Sequence, residues 1–175
     1  VTGKLMAIAI VVTALVAGVA VYYLQVYAFY ERLTPSGPAD VQMTVAATGQ
    51  AEPLAHTDFQ AIDADSSPIR YRSCFHISGD PDALTERYLP YDGPVPLQAP
   101  GWFDCFDADA IGEALEDGRA RAYLGQENIH YGIDRVVAIT ADGDGYAWHQ
   151  INACGRVVFD GRPAPEGCPP APEGY

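Results

Sequence analysis

Apolar positions are spread unevenly along the chain. They run almost unbroken through residues 5–30, where no residue is charged, and then give way to short alternating runs separated by Pro, Gly and Asp. The first block covers 26 residues; as one helix at ~1.5 Å per residue it reaches about 39 Å, more than a hydrocarbon core of about 30 Å. The pattern predicts a tilted transmembrane helix. Tyr22, Tyr23, Tyr27, Phe29 and Tyr30 gather at its far end, where rings with an apolar body and a polar edge favour the headgroup layer. A cleavable signal segment is the competing reading, with Lys4 ahead of the block and Gly18-Val19-Ala20 as the cleavage site. Signal cores run to about 7–15 residues, and this block is much longer.

Beyond it, Pro35, Gly37 and Pro38 break helical pattern and read as a tether over residues 33–39. The expected organisation is an anchor over 1–32, a linker over 33–40 and one domain over 41–175, a size suited to a single core. Residues 41–45 alternate as a strand, and 69–76 do so more clearly, with Ile69, Tyr71, Ser73 and Phe75 on one side. Asp80-Pro81 predicts a capped helix over 83–88, followed by a Pro- and Gly-rich loop over 91–101. Asp107 or Asp109 caps a second helix over 110–117, with Ile111 and Leu115 on one face and Gly118 as its stop. Residues 120–124 read as a strand. Runs 133–140 and 146–152 flank Asp142-Gly143-Asp144-Gly145 as an antiparallel hairpin, and 156–159 as an edge strand. The fold class is α+β: one N-terminal transmembrane helix followed by a small, mostly antiparallel sheet domain with two short helices.

Charge and cysteines bear on the compartment. All 23 acidic residues follow residue 30, against nine arginines and no lysine, so nucleic acid is repelled and a basic partner is favoured. Cys74, Cys105, Cys154 and Cys168 are even in number, lie outside the apolar block and lack Cys-x-x-Cys spacing. Two disulfides are the simplest account, placing the domain outside the cytoplasm; of the three connectivities we expect neighbour pairing, Cys74–Cys105 and Cys154–Cys168. With Lys4 before the block and Glu31-Arg32 after it, positive charge hardly separates its two sides. The expected topology is therefore an N-terminus on the cytoplasmic side and a domain on the oxidising side of the membrane.

Candidate chemistry is sparse. Asp63 and Asp65, the set Asp104, Asp107 and Asp109, and the pair Asp142 and Asp144 alternate as calcium ligands do, but none completes a ligand loop. They read as turns and helix starts. His56, His76, His130 and His149 lack metal-motif spacing; Cys74-Phe75-His76 is the nearest to a copper site and needs a free thiol. Trp148 and His149 point to opposite faces of a strand. No nucleophile elbow or cysteine-protease pattern is present, so no enzyme and no cofactor are expected.

Several blocks are longer than chance spacing. They are Tyr22-Tyr23-Leu24-Gln25-Val26-Tyr27, the run 62–72 around Asp63-Ala64-Asp65-Ser66-Ser67-Pro68, the run 100–112 around Trp102-Phe103-Asp104-Cys105-Phe106, and the run 129–137 around His130-Tyr131-Gly132-Ile133-Asp134-Arg135. In these the chain resembles a family of uncharacterised single-span proteins of alphaproteobacteria, some of which carry a histidine kinase label. The resemblance implies an alphaproteobacterial inner membrane and supplies no activity. Glycine-rich nucleotide-binding sequence is lacking, which argues against the kinase label.

One further pattern lies within the apolar block. Ala7, Val11, Ala14, Gly18, Val21, Gln25 and Ala28 recur at alternating four- and three-residue steps, forming a small-residue seam against which another membrane helix packs closely, with Gln25 available for an interhelical hydrogen bond. The leading expectation is a non-catalytic accessory subunit of an inner-membrane complex, respiratory or photosynthetic, partnered by integral membrane subunits and a basic soluble cytochrome. The rival is a membrane-tethered ligand-binding or sensing module with a pocket lined by Trp102, Tyr131 and Trp148.

Overall fold

The computed structural model describes residues 2–172. Helix α1 (Thr2–Tyr23) has no buried residue and passes directly into a π-helical turn at Leu24–Ala28. Together they form one helix of 27 residues, Thr2–Ala28, long and apolar enough to cross a membrane. Two residues later the chain is already in a sheet: β1 (Glu31–Leu33) pairs antiparallel with β4 (Thr57–Asp63), Arg32 lying opposite Ile62. The tether is therefore shorter than the sequence predicts. Pairing with β1 covers backbone groups of β4 that an edge strand leaves open, and three residues are too few to show a period of two. The remaining connection turns through Pro38–Asp40, where the Asp40 carboxylate accepts from the Ser36 and Gly37 backbone N–H groups at 2.7 and 2.9 Å.

The main sheet has six antiparallel strands in the order β1-β4-β5-β8-β7-β6, with β5 at Arg72–His76, β6 at Ala120–His130, β7 at Ile133–Thr140 and β8 at Asp144–Ile151. The predicted hairpin is β7–β8, pairing Val136 with Trp148 and Ala138 with Tyr146. Strand β6 runs six residues past its expected end, through register shifts that follow Leu124 and Gln126. Both faces of the sheet are covered. One packs Tyr71, Phe75, Tyr123, Val137 and Ile139 under a two-stranded sheet of β2 (Gln42–Thr44) and β3 (Ala51–Pro53) and helix α2 (Pro81–Arg87), which bring Met43, Leu54 and Leu84. The other packs Ile62, Cys74, Val136, Ala138 and Trp148 under Phe103, Phe106 and Ile111, carried by the 91–107 segment and helix α3 (Ala108–Glu116). Double coverage explains why β7 is buried almost throughout instead of at every second residue.

Local signals set the helices. Asp80 caps α2 by accepting from the Asp82 N–H, and Asp107 caps α3 by accepting from those of Asp109 and Ala110. Gly118, at φ 73°, takes the left-handed position that ends α3. The 156–159 segment, expected as an edge strand, is instead within or beside a helix, α4 (Ala153–Val158). Asn152 caps it through the Gly155 N–H, and Cys154 inside it is bonded to Cys168; the cap and the cross-link outweigh the β propensity of Val157 and Val158. Among the described residues the domain thus holds a third short α-helix beside the two expected.

Candidate functional site at the span–domain junction

The long apolar helix is fastened to the domain by its last turn. In a π-helical turn the bonds run i to i+5, which changes the pairing of the carbonyls at the end of the helix. The Val26 carbonyl there accepts from Trp102 Nε1 at 2.6 Å. Trp102 is presented by a turn in which the Phe103 N–H donates to the Pro100 carbonyl, while Phe103 itself is buried in the core. Tyr27 stacks on the indole at 6.4 Å between centroids and Tyr30 meets it edge-on at 6.1 Å. Guanidinium groups complete the collar: Arg32 lies 5.0 Å from the Trp102 ring and Arg70 5.3 Å from that of Tyr30. Span and domain therefore meet through a hydrogen bond, a ring stack and a paired strand.

Behind this collar sits Arg72, 3% exposed and without a carboxylate partner among the described residues. Its guanidinium donates to the carbonyls of Leu97 (2.6 Å), Ile69 (2.9 Å), Tyr71 (2.6 Å) and Gln98 (3.2 Å) and lies 5.7 Å from the Phe106 ring. Burial pushes its pKa down to about 10, and the charges of Tyr30 and Asp63 act against that. Gln150 performs the same service nearby, accepting from the Val95 N–H at 2.7 Å and donating to the Gly93 carbonyl at 2.9 Å. The irregular 91–107 segment is thus laced to the sheet by two buried polar side chains and by the Cys74–Cys105 disulfide.

The opposite face carries a second polar cluster. His149, 1% exposed, bonds through Nδ1 to the Pro68 carbonyl at 2.7 Å, so that nitrogen carries the proton; Nε2 then accepts from Arg135 at 3.0 and 3.1 Å. Tyr71 stacks on the imidazole at 4.8 Å, with the Arg135 guanidinium 3.9 Å from the phenol ring. Burial, and then the adjacent Arg135 charge, push the His149 pKa down to about 3. The imidazole is neutral and sealed, and both ring nitrogens are committed. Desolvation also raises the pKa of half-buried Asp63. No group of three or more His, Cys, Asp or Glu residues is placed to hold a metal among the described residues.

Both disulfides connect the neighbours expected, Cys74 with Cys105 and Cys154 with Cys168, and no cysteine is free. Of the seam residues, Ala7, Val11, Ala14, Gly18 and Val21 lie on α1, all exposed, and space for a Cβ at Gly18 is open to 4 Å. Gln25 and Ala28 fall in the π turn, whose wider winding takes them off the α-helical register that defined the seam. Trp102, Tyr131 and Trp148 do not line one pocket. Trp148 is fully buried in the core, Trp102 is committed to the span, and Tyr131 donates to the Pro169 carbonyl at the tail. Two clefts lie elsewhere: one of about 570 Å³ includes Asp40, His56, Asp58 and Phe59 in its lining, and another of about 560 Å³ lies between Pro94–Pro96 and α3. Arg72, Gln150 and Arg135 carry no sequence motif. Arg72 opens β5 and is buried like the three residues after it, and nothing in the composition of that strand marks it for burial.

Residues 41–169 match the family of unknown function DUF6446. The chain belongs to this family. The matched part holds both disulfides, Arg72, the His149 cluster and Trp102, whereas the span and β1 lie ahead of it. For this family member no curated protein and no solved structure matches.

Proposed function

We propose that the protein is a non-catalytic, single-pass accessory subunit that docks its helix on a larger inner-membrane complex and presents the acidic domain in the periplasm. One observation carries this reading: the long apolar helix is locked to the domain at Trp102, which gives a fixed heading to the small residues that recur along one face of its sequence. A mere anchor needs neither close-approach positions nor a fixed angle to its cargo. Two disulfides fit an oxidising compartment. The complexes we favour are electron-transfer assemblies, respiratory or photosynthetic. A domain with 23 acidic residues against nine arginines attracts a basic soluble cytochrome and raises its encounter rate without passing electrons itself.

The test is affinity purification in mild detergent, comparing Gly18→Leu, on the seam, with Val12→Leu, off it, at equal membrane levels. Gly18→Leu is expected to release the partner subunits and Val12→Leu to keep them. Loss of the protein should also lower cytochrome turnover by a margin that shrinks as salt shortens the Debye length from about 10 Å at 0.1 M to about 3 Å at 1 M. Equal retention of the two variants, with turnover unchanged at every salt concentration, sinks the reading.

A further inference from the structure

The nine arginines of this acidic domain are placed in three ways, and three of them, Arg72, Arg135 and Arg156, spend their donors on main-chain carbonyls or on His149. Arg87, Arg119, Arg121 and Arg162 sit on the outer surface and each pairs with a carboxylate, at 2.6–3.1 Å. Arg32 and Arg70 do not: among the described residues neither makes an ion pair, and each lies against an aromatic ring at the foot of the domain. Glu31 lies opposite Asp63 across β1 and β4, next to Arg32, yet among the described residues neither guanidinium is drawn into an ion pair with a carboxylate.

Cation–π contact engages the face of a guanidinium and leaves its edge, with a planar fork of N–H donors, available. No hydrogen bond engages that edge at Arg32 or Arg70 among the described residues, unlike Arg72 behind them, whose edge is taken up by four carbonyls. A planar donor fork suits the oxygens of a phosphate. The depth of the collar is set by the span. Twenty-seven helical residues reach about 40 Å at ~1.5 Å each, whereas the hydrocarbon core takes about 30 Å and the core with both headgroup layers about 40–45 Å. With that helix spanning the bilayer, Trp102, bonded to Val26 two residues before the helix ends, falls at the level of the headgroups together with Arg32, whose guanidinium lies over its ring. Tyr22, Tyr23 and Tyr27 ring the same level.

We propose that Arg32 and Arg70, steadied by Trp102 and Tyr30, bind the phosphate of an anionic phospholipid headgroup in the leaflet on the domain's side. The site holds a lipid against a domain whose overall charge repels an anionic surface, and so keeps the domain seated on the membrane. This does not depend on the identity of any protein partner.

The full chain would be placed in nanodiscs of mixed phosphatidylglycerol and phosphatidylcholine, and retained lipids counted by native mass spectrometry. Wild type is expected to retain phosphatidylglycerol selectively. Each guanidinium lost lowers that preference about 5-fold, so Arg32→Gln with Arg70→Gln should nearly abolish it, while Arg119→Gln leaves it intact. The pair Arg32→Lys and Arg70→Lys keeps the charge but loses the planar fork, and should retain a preference between those of wild type and the glutamine pair; both pairs are compared after confirming that both disulfides are formed. Excess inorganic phosphate should leave the lipid in place. Unchanged selectivity in the glutamine pair, a lysine pair as weak as the glutamine pair, an equal loss in Arg119→Gln, or ready displacement by inorganic phosphate would each overturn the assignment.

Discussion

The two faces of the six-stranded sheet are closed by different means. One is covered by regular structure, β2, β3 and α2, and its contacts are largely apolar, with Met43 and Tyr123 almost wholly buried. The other is covered for much of its area by the 91–107 segment, which has no regular hydrogen bonding of its own and carries Pro94, Pro96 and Pro100. That segment is tied down at intervals by Arg72, Gln150 and the Cys74–Cys105 bond. A strand or helix satisfies its backbone internally, so it needs only a hydrophobic face to stay in place; an irregular cover brings bare carbonyls into the protein, and buried donors must meet them. The polar residues under this cover are structural fasteners, and the cover is what positions Trp102 beneath the span.

The sharpest way to break that contrast is to remove its central fastener. Arg72→Leu leaves four carbonyls without their donor and should destabilise the domain by on the order of 4 kcal/mol. Urea unfolding of the full chain in detergent measures this, and a loss below roughly 1 kcal/mol, the worth of one ordinary hydrogen bond, would show that the segment holds itself. Next in size are the disulfides. Chain-entropy loss over a 31-residue separation for Cys74–Cys105 and 14 for Cys154–Cys168 gives about 3.5 and about 3 kcal/mol respectively. Replacing Cys74 and Cys105 by serine should expose the 91–107 amides to hydrogen exchange and leave β2 and β3 protected; uniform loss of protection would erase the distinction between the faces.

At pH 5 the smallest of these effects belongs to the regular face, and it is read by titration. His149 has a folded pKa near 3 against 6.5 in the open chain, so below 6.5 the unfolded state takes up a proton that the folded state refuses. Stability contributed by the neutral imidazole is thus present above pH 6.5 and drains away as pH falls toward 3, by about 1.4 kcal/mol per unit, or about 2 kcal/mol by pH 5. His149→Gln should flatten that limb of the profile. An acid limb identical in the variant would assign it to other groups.

Much of this was legible in advance. The apolar block, the capped helices at Asp80 and Asp107, the β7–β8 hairpin and both cysteine pairings follow from local rules or short separations. What escaped was non-local. β1 and β3 are three residues each and gain their strand character only from a partner across the sheet. The alternation over 69–76 places Ile69, Tyr71, Ser73 and Phe75 on one side and is silent on what covers the other; that face is closed by Phe103 and Phe106, which arrive from far along the chain. Trp102 was assigned to a pocket because aromatic rings line pockets, yet its partner is a main-chain carbonyl that no sequence pattern marks as available.

The π turn at Leu24–Ala28 works as a phase setting between two rotating parts. Above it, Trp102 and β1 fix the heading of the domain; below it, each residue of α1 faces a direction about 100° from the last. One residue added or removed between Gly18 and Val26 would swing the small-residue face around the helix axis by that angle while the collar held the domain still. The length of this short stretch, more than its composition, dictates which side of the domain faces whatever the helix lies against.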